Sequence, residues 1–286
     1  MSSFFSTIGE VFKNIFAVLM SLFTAISGLI GGGSGSGEEV KGLTQTIVMR
    51  VSAIDNIRQF EGACSDGQYI YQVMIEPATS TSTGKTEKAV ILKIDPSTWT
   101  IVKKSAELTE INHANDITYD PRKNLLLVSN NAPNYKMISG LKADSLEYVG
   151  GDSIDHPLYS LAYLTSGDSS FYYAGISGTY NFGEYDGGFY TISTFNGINN
   201  GCTRQSIATD NEYLYCLFSD PNCIYKYKLD GTYVGKCSLP NPETNSYSYE
   251  AEGIFFHNGV LYVTYNIKGK GNGGVICKLE NVTYSE

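Results

Sequence analysis

Residues 203–237 read TRQSIATDNEYLYCLFSDPNCIYKYKLDGTYVGKC, and this stretch decides the fold class. Small and polar residues lead into a short apolar strand, a turn at Asp210 follows, and an aromatic-rich strand comes next. Two further strand-like segments flank a second turn at Asp230. The stretch therefore predicts four consecutive antiparallel strands joined by short turns.

The same order of features occurs at four other places in the chain. These copies read QFEGACSDGQYIYQVMI from Gln59, HANDITYDPRKNLLLVSN from His113, PLYSLAYLTSGDSSFYYAGI from Pro157 and EAEGIFFHNGVLYVTYN from Glu250. Their alignment places Gly62, Asp116, Ser160, Ser206 and Gly253 at equivalent positions, with spacings of 54, 44, 46 and 47 residues. One four-stranded propeller blade takes about 40–50 residues. The spacing therefore predicts an all-β, five-bladed β-propeller over residues 44–286 and disfavours a β-sandwich, which has no such repeat.

The last repeat offers only three strands before Glu286. The unassigned segment Gln45–Ser52 (QTIVMRVS) is strand-like and precedes the first repeat. We expect it to pair with the last blade and to close the ring, because closure removes free sheet edges.

The first residues differ in character from the propeller. Residues 15–30 read IFAVLMSLFTAISGLI, and a Gly/Ser-rich linker occupies residues 32–43. About 20 apolar residues span a bilayer, so residues 1–31 are predicted to form a hydrophobic membrane-anchor helix that holds the propeller outside the cytoplasm. Two alternatives stay open. The segment resembles a signal peptide with a small-x-small site at residues 25–27, which gives a secreted protein. Its stripe of small residues also suits a helix that forms a homo-oligomer.

Composition excludes several classes of function. The net charge is -9 and Lys and Arg are not clustered, so a general nucleic-acid-binding role is disfavoured. The six Cys form no CxxC pair and have no His at ligand spacing, so no metal site is expected. No phosphate loop, dinucleotide fingerprint or nucleophile elbow is present, so no cofactor is expected either.

Candidate functional residues stand at the start of each repeat, because the innermost strands of a propeller line its central channel. Polar side chains there can hydrogen-bond a ligand, although such residues also often bind only water or each other. The ligand-binding candidates are Gln59, His113, Asn115, Tyr159, Arg204, Gln205 and Glu250. The Gly/Tyr-rich segment at 177–188 is the candidate binding loop.

Three carboxylates, Glu61, Asp116 and Glu252, come from three repeats at equivalent depth. Paired carboxylates that face one pocket are what glycoside hydrolysis requires, with one protonated as the acid and one ionised. These residues are therefore the catalytic candidates of an alternative, enzymatic hypothesis.

The phrases GACSDGQYIY, LKIDPSTWTIVKK, NHANDITYDP and EAEGIFF resemble bacterial exported propeller proteins related to the NHL and YVTN types. That group has no assigned activity, so the resemblance implies the fold and an exported location. The plant-type glutaminyl cyclases also look like five-bladed propellers, with an aromatic-Gln-Gly sequence leading into a blade. Here that stretch is Phe60-Glu61-Gly62, a departure that puts the activity in doubt.

The sequence favours a cell-surface or secreted propeller that binds a glycan or peptide of the cell envelope. A glycoside hydrolase-like enzyme and a scaffold assembled through the N-terminal helix are the alternatives.

Overall fold

A computed structural model describes residues 42–76, 87–131, 135–166, 169–176, 178–198, 201–269 and 273–285. In these ranges the chain forms strands and turns and no helix. The strands make five four-stranded antiparallel sheets, and the number of sheets equals the number of sequence repeats.

Each sheet takes its strands in chain order from the inside outwards, apart from the fifth. The first contains β2 (Gln59–Ser65), β3 (Ile70–Ile75), β4 (Ala89–Asp95) and β5 (Thr100–Lys104). The second contains β6 (Asp116–Asp120), β7 (Leu125–Ser129), β8 (Met137–Lys142) and β9 (Tyr148–Ser153). The third contains β10 (Ser160–Ser166), β11 (Ser169–Ile176), β12 (Thr179–Tyr185) and β13 (Phe189–Asn196).

The fourth sheet contains β14 (Thr203–Thr209), β15 (Tyr213–Ser219), β16 (Cys223–Lys228) and β17 (Tyr233–Ser238). The fifth contains β18 (Ser248–His257), β19 (Val260–Lys268), β20 (Gly273–Glu280) and, at its outer edge, β1 (Thr44–Ser52).

The innermost strands β2, β6, β10, β14 and β18 contact each other in that order, and β18 returns to β2. The hydrophobic core is divided accordingly into five clusters, one between each pair of successive sheets. The cluster between the first and second sheets, for example, packs Tyr71 and Ile91 against Leu126 and Leu141. Each sheet therefore buries both faces on its neighbours, which is the architecture of a β-propeller.

The predicted closure is confirmed. β1 pairs antiparallel with β20, from Thr44 opposite Glu280 to Ser52 opposite Gly273. In the β15–β16 hairpin Cys216 lies opposite Tyr225, as a symmetric hairpin requires. None of the six cysteines forms a disulfide; five are buried and Cys202 is partly exposed.

Two further expectations concern the N-terminal helix and the binding loop. The predicted N-terminal helix lies outside the described residues, and no helix within the described ranges has the length and apolar character to cross a membrane. The predicted binding loop at 177–188 is wrong in its main part, since Thr179–Tyr185 is strand β12. Its tyrosines pack inside: Tyr180 stacks on Phe195 with ring centroids 5.1 Å apart, and the Tyr185 hydroxyl donates to Asp152. Aromatic side chains here fill the space between sheets and do not form a loop surface.

Candidate functional site

Asp116, the first residue of β6, lies fully buried at the centre of the ring. Its Oδ1 accepts hydrogen bonds from the Ser206 hydroxyl (2.8 Å) and the Ile117 amide (3.0 Å). Its Oδ2 accepts from the amides of Leu161 (3.3 Å) and Ile207 (3.2 Å). One carboxyl group thus joins the inner strands of the second, third and fourth sheets.

Residues of the fifth and first sheets join the hydrogen bonds around Asp116. The Ile254 amide donates to the Ser206 hydroxyl oxygen at 3.3 Å, and the Gly62 amide donates to the Asn115 carbonyl at 3.0 Å. A Cβ on Gly62 would lie 2.3 Å from Asp116 Oδ1 and 2.4 Å from Asp116 Cα, so the close approach of β2 and β6 requires glycine. The aligned positions Gly62, Asp116 and Ser206 therefore meet at a floor across the channel.

Burial raises the pKa of Asp116 to about 8, while the hydrogen bonds from Ser206, Ile207, Ile117 and Leu161 lower it. The desolvation of the charged form outweighs the four donors. With no exposed surface and with these donors on both oxygens, Asp116 is placed to hold the sheets together. It is not placed to face a ligand.

Glu61 and Glu252 stand on the side of this floor where the inner strands begin, and each is nearly buried, with 4% and 5% of its surface exposed. The Asn266 side-chain amide donates to Glu252 Oε1 at 2.8 Å, and Asn266 Oδ1 in turn accepts from the Phe60 amide. The His113 imidazole lies beside Glu61, with Nε2 3.6 Å from Oε2. The structure thus brings two of the three catalytic candidates to one mouth of the channel.

Both carboxyl groups have a pKa well above the usual range. For Glu61 burial is the main cause, followed by the negative charges of Glu252, Glu87, Glu250 and Asp116. For Glu252 burial again comes first and the charge of Glu250 second, whereas the hydrogen bond from Asn266 and the charge of Lys268 lower its pKa. The side chains of Glu61, Glu87, Glu250 and Glu252 are named here the acidic mouth.

An imidazole and an ammonium group reach the acidic mouth. His113 Nδ1 lies 2.5 Å from Glu87 Oε2, so the imidazole bridges Glu87 and Glu61. Lys268 Nζ lies 3.1 Å from Glu250 Oε2 and 3.9 Å from Asp220 Oδ1. Sequence reasoning missed Glu87, Asn266 and Lys268 because they precede or end second and third strands, whereas the repeat alignment points only to inner strands.

Among the other ligand-binding candidates, Asn115 and Gln205 have structural partners. Asn115 Nδ2 donates to the carbonyls of Tyr159 (2.8 Å) and Gln205 (3.0 Å), and the Gln205 side chain donates to the Ser219 hydroxyl oxygen at 2.9 Å. The Arg204 guanidinium lies against Gly178, where an added Cβ would come within 2.6 Å of Nη2. Gln59 is partly exposed at the start of β2.

The inner strands end at the opposite mouth, in a depression of about 240 Å³ lined by residues of all five of them. Tyr119, Tyr163 and Phe256 supply aromatic surface there. Its polar groups are largely satisfied internally: the Ser65 hydroxyl lies 2.8 Å from His257 Nδ1, and the Thr209 hydroxyl donates to the Tyr213 carbonyl at 2.8 Å. Asp66 is the one charged residue in the lining of this depression.

Among the described residues no three His, Cys, Asp or Glu side chains are arranged to hold a metal ion. The acidic mouth offers carboxylates, an imidazole and an ammonium group. These groups can bind charged or hydrogen-bonding parts of an organic ligand, or can exchange protons with it.

No protein-family profile matches the sequence, and no curated protein matches it. Solved structures do resemble the fold. The glutaminyl cyclase of Myxococcus xanthus superposes with a TM-score of 0.56 at 11% identity, over 84% of this chain and 98% of that one. The β-propeller domain of Cps50 (Swd1) from Myceliophteria thermophila gives a TM-score of 0.45 at 10% identity, over 81% and 99%. At 11% identity the cyclase likeness shows the β-propeller fold alone.

Proposed function

We propose that the five sheets are the blades of a ligand-binding propeller and that its acidic mouth takes a positively charged group of a peptide or glycan. The observation that carries the proposal is the pair Glu61 and Glu252, both nearly buried, with pKa values raised first by burial and then by neighbouring negative charges. An ammonium group placed between them would supply the charge that a bound proton otherwise supplies.

The size of the expected Coulomb attraction supports a positively charged ligand. An opposite charge about 4 Å from a carboxylate near a protein surface contributes about 4 kcal/mol of Coulomb energy at an effective dielectric of 20. The acidic mouth contains four carboxyl groups, and Lys268 contributes an ammonium group next to Glu250. A chain with a net charge of -9 also attracts cations over a longer range.

The test is calorimetric titration of the full chain with a short peptide that has a free N-terminal amine and with the same peptide acetylated. The proposal predicts binding of the free amine only. It also predicts an affinity that rises with pH, as Glu61 and Glu252 lose their protons. Glu252→Gln should weaken binding at least about tenfold, since a loss of about 1.4 kcal/mol of attraction lowers the affinity by a factor of ten. Equal binding of both peptides would contradict the proposal.

Glu147→Gln serves as the control, because Glu147 is an exposed carboxylate that pairs with Lys142 on the second sheet, away from the acidic mouth. The affinity of Glu147→Gln for the peptide should match that of the parent protein. Glu61→Gln should weaken binding as Glu252→Gln does.

A second candidate is an enzyme at the same mouth, because a carboxyl group with a raised pKa beside an ionisable partner suits general acid–base catalysis. Glycoside hydrolysis and cyclisation of a glutaminyl residue, the reaction that names the Myxococcus protein, are the two reactions to assay. Turnover of a chromogenic glycoside or of a glutaminyl peptide, abolished by Glu61→Gln, would favour the enzyme. Binding without turnover favours the binding module.

Export remains part of the proposal. Residues 1–31 would anchor the propeller to a membrane or be removed on secretion, and a peptide or glycan of the cell envelope would then be the ligand. Assembly through the N-terminal helix is the alternative that concerns the same segment. Fractionation of cells that express the full chain, followed by mass measurement of the mature protein, separates anchor from signal peptide.

A further inference from the structure

The fourth sheet and the connection that leads into it contain Cys202, Cys216, Cys223 and Cys237. Cys216 and Cys223 belong to the core cluster between the third and fourth sheets, and Cys202 packs against that cluster. Cys237 belongs to the cluster on the other face of the fourth sheet, against the fifth. Cys202, Cys216 and Cys223 therefore share one interior.

Cys202 and Cys223 are the two cysteines of this group whose thiols contact each other. Burial, then the negative charge of the Cys202 thiolate, raises the pKa of Cys223 to about 12. A hydrogen bond between the two thiols adds to the rise, whereas the charge of Lys236 lowers the pKa. The Cys216 sulfur instead accepts a hydrogen bond from the Tyr180 hydroxyl. The contact thus singles out Cys202 and Cys223 as a pair.

The two cysteines of this pair differ in access to solvent. Cys223, the first residue of β16, has no exposed surface, whereas Cys202 is partly exposed. Cys202 lies one residue before β14, so its backbone is outside the sheet. An S–S bond is about 2.05 Å long, so two sulfurs in contact must still approach each other. The connection before β14 can move without breaking a strand pairing.

We propose that Cys202 and Cys223 form an intramolecular disulfide under oxidising conditions, so that the connection into β14 is tied to the β15–β16 hairpin. Structural disulfides persist in oxidising environments such as the cell exterior. The proposal does not depend on a ligand at the acidic mouth, because it concerns two thiols in the core between the third and fourth sheets.

The disulfide acts on a turn that already holds the fifth sheet. Asn222, the neighbour of Cys223, donates to the Tyr249 carbonyl at 2.8 Å and accepts from the Ala251 amide at 2.9 Å. Tyr249 and Ala251 lie on β18, the inner strand of the fifth sheet. The S–S bond therefore connects the entrance of the fourth sheet to a turn anchored on the next one.

Thiol–disulfide exchange with oxidised glutathione forms the bond in two steps. The accessible Cys202 thiolate attacks one glutathione sulfur, which gives a mixed disulfide and releases one glutathione thiol. Cys223 then attacks the Cys202 sulfur, passes its proton to the second glutathione thiolate and releases it. Two protein thiols lose two protons and two electrons, and glutathione disulfide is reduced to two thiols. Because the thiolate is the nucleophile, oxidation should be faster at pH 9 than at pH 7.

Counting thiols in the parent protein tests the pairing without any mutation. The full chain is purified in detergent with a reductant, transferred to oxidised glutathione, and alkylated in denaturant. Intact mass should show six alkylated thiols before oxidation and four after it, with Cys202 and Cys223 as the linked pair in fragment spectra. Six alkylated thiols after oxidation, a different pair, or a glutathione adduct that persists overturns the proposal.

Cys223→Ser and Cys216→Ser are matched variants, because each removes a buried thiol from the same cluster. In Cys223→Ser the second step has no attacking thiol, so Cys202 should keep its glutathione adduct. Cys216→Ser should form the same internal disulfide as the parent protein. An internal disulfide that survives Cys223→Ser contradicts the proposal, and thermal unfolding shows that both variants are folded.

Thermal unfolding of the oxidised protein gives a second measurement. Oxidation should raise the Tm of the parent protein by about 6–12 °C, because residues 203–222 become a closed loop in the unfolded chain. Cys202→Ser lacks the disulfide and should show no such rise. Equal shifts of Tm in the two proteins overturn the proposal.

Discussion

Replacement of Asp116 by alanine tests whether its carboxyl group holds the centre of the propeller. The change leaves the amides of Leu161 and Ile207 and the hydroxyl of Ser206 without their acceptor in the buried floor. A buried donor without a partner costs about 1–3 kcal/mol, so the two amides alone account for about 2–6 kcal/mol. Loss of the buried carboxyl group offsets part of this cost, because its desolvation is relieved.

We therefore expect Asp116→Ala to lower the free energy of unfolding by about 3 kcal/mol. For a domain of this size that corresponds to a fall in Tm of about 6–12 °C. The stability of Asp116→Asn should lie between that of Asp116→Ala and that of the parent protein, because an amide has one acceptor oxygen in place of two.

The assay is chemical and thermal unfolding followed by circular dichroism, with Asp95→Ala as the matched control. Asp95 accepts hydrogen bonds from Ser97 within its own turn, at an exposed position. Asp95→Ala should lower the free energy of unfolding much less than Asp116→Ala does. If both alanine variants unfold at the same denaturant concentration, the bridging role of Asp116 is refuted.

Three further predictions concern pH, packing and a ring contact. The folded-state pKa of Asp116, about 8, exceeds its unfolded value of 3.8, so its stabilising contribution is full below pH 3.8 and is lost as pH rises towards 8. The free energy of unfolding, measured across that pH range, should fall less for Asp116→Asn than for the parent protein. Gly62→Ala should destabilise by about 1–3 kcal/mol or more, because its Cβ meets the Asp116 backbone, and a lower thermal midpoint would show this. Lys226→Met should cost about 0.5–1 kcal/mol in denaturant titration, since Nζ lies 3.6 Å from the centroid of Tyr213; an unchanged midpoint would contradict the cation–π contribution.

The repeat was readable from the sequence because the inner strands share a steric requirement. Gly62, Asp116 and Ser206, aligned only by pattern, meet at one level of the channel. The closing strand was also predictable, since one strand was left over at the start of the propeller and one was missing at its end.

The roles of the candidate residues were less predictable. The sequence predicted equivalent depths for Glu61, Asp116 and Glu252. The structure instead encloses Asp116 with amides of the neighbouring sheets, while Glu61 and Glu252 lie to one side of it. Glu87 reaches His113 from two residues before β4, the third strand of the first sheet, and no local pattern signals that contact. The segment at 177–188 was misread because Gly and Tyr are as common in a strand packed between sheets as in a binding loop.

The pairing of β1 with β20 has a consequence for how the protein is made. Thr44 lies opposite Glu280, so the fifth sheet contains residues from both ends of the described chain. A ribosome that has released β1 must still synthesise more than 200 residues before the partner strand appears. Until then β1 has no sheet to join and β2 lacks its neighbour β18. The ring can therefore close only after β20 has been synthesised, and the unpaired β1 is exposed to other chains throughout that interval.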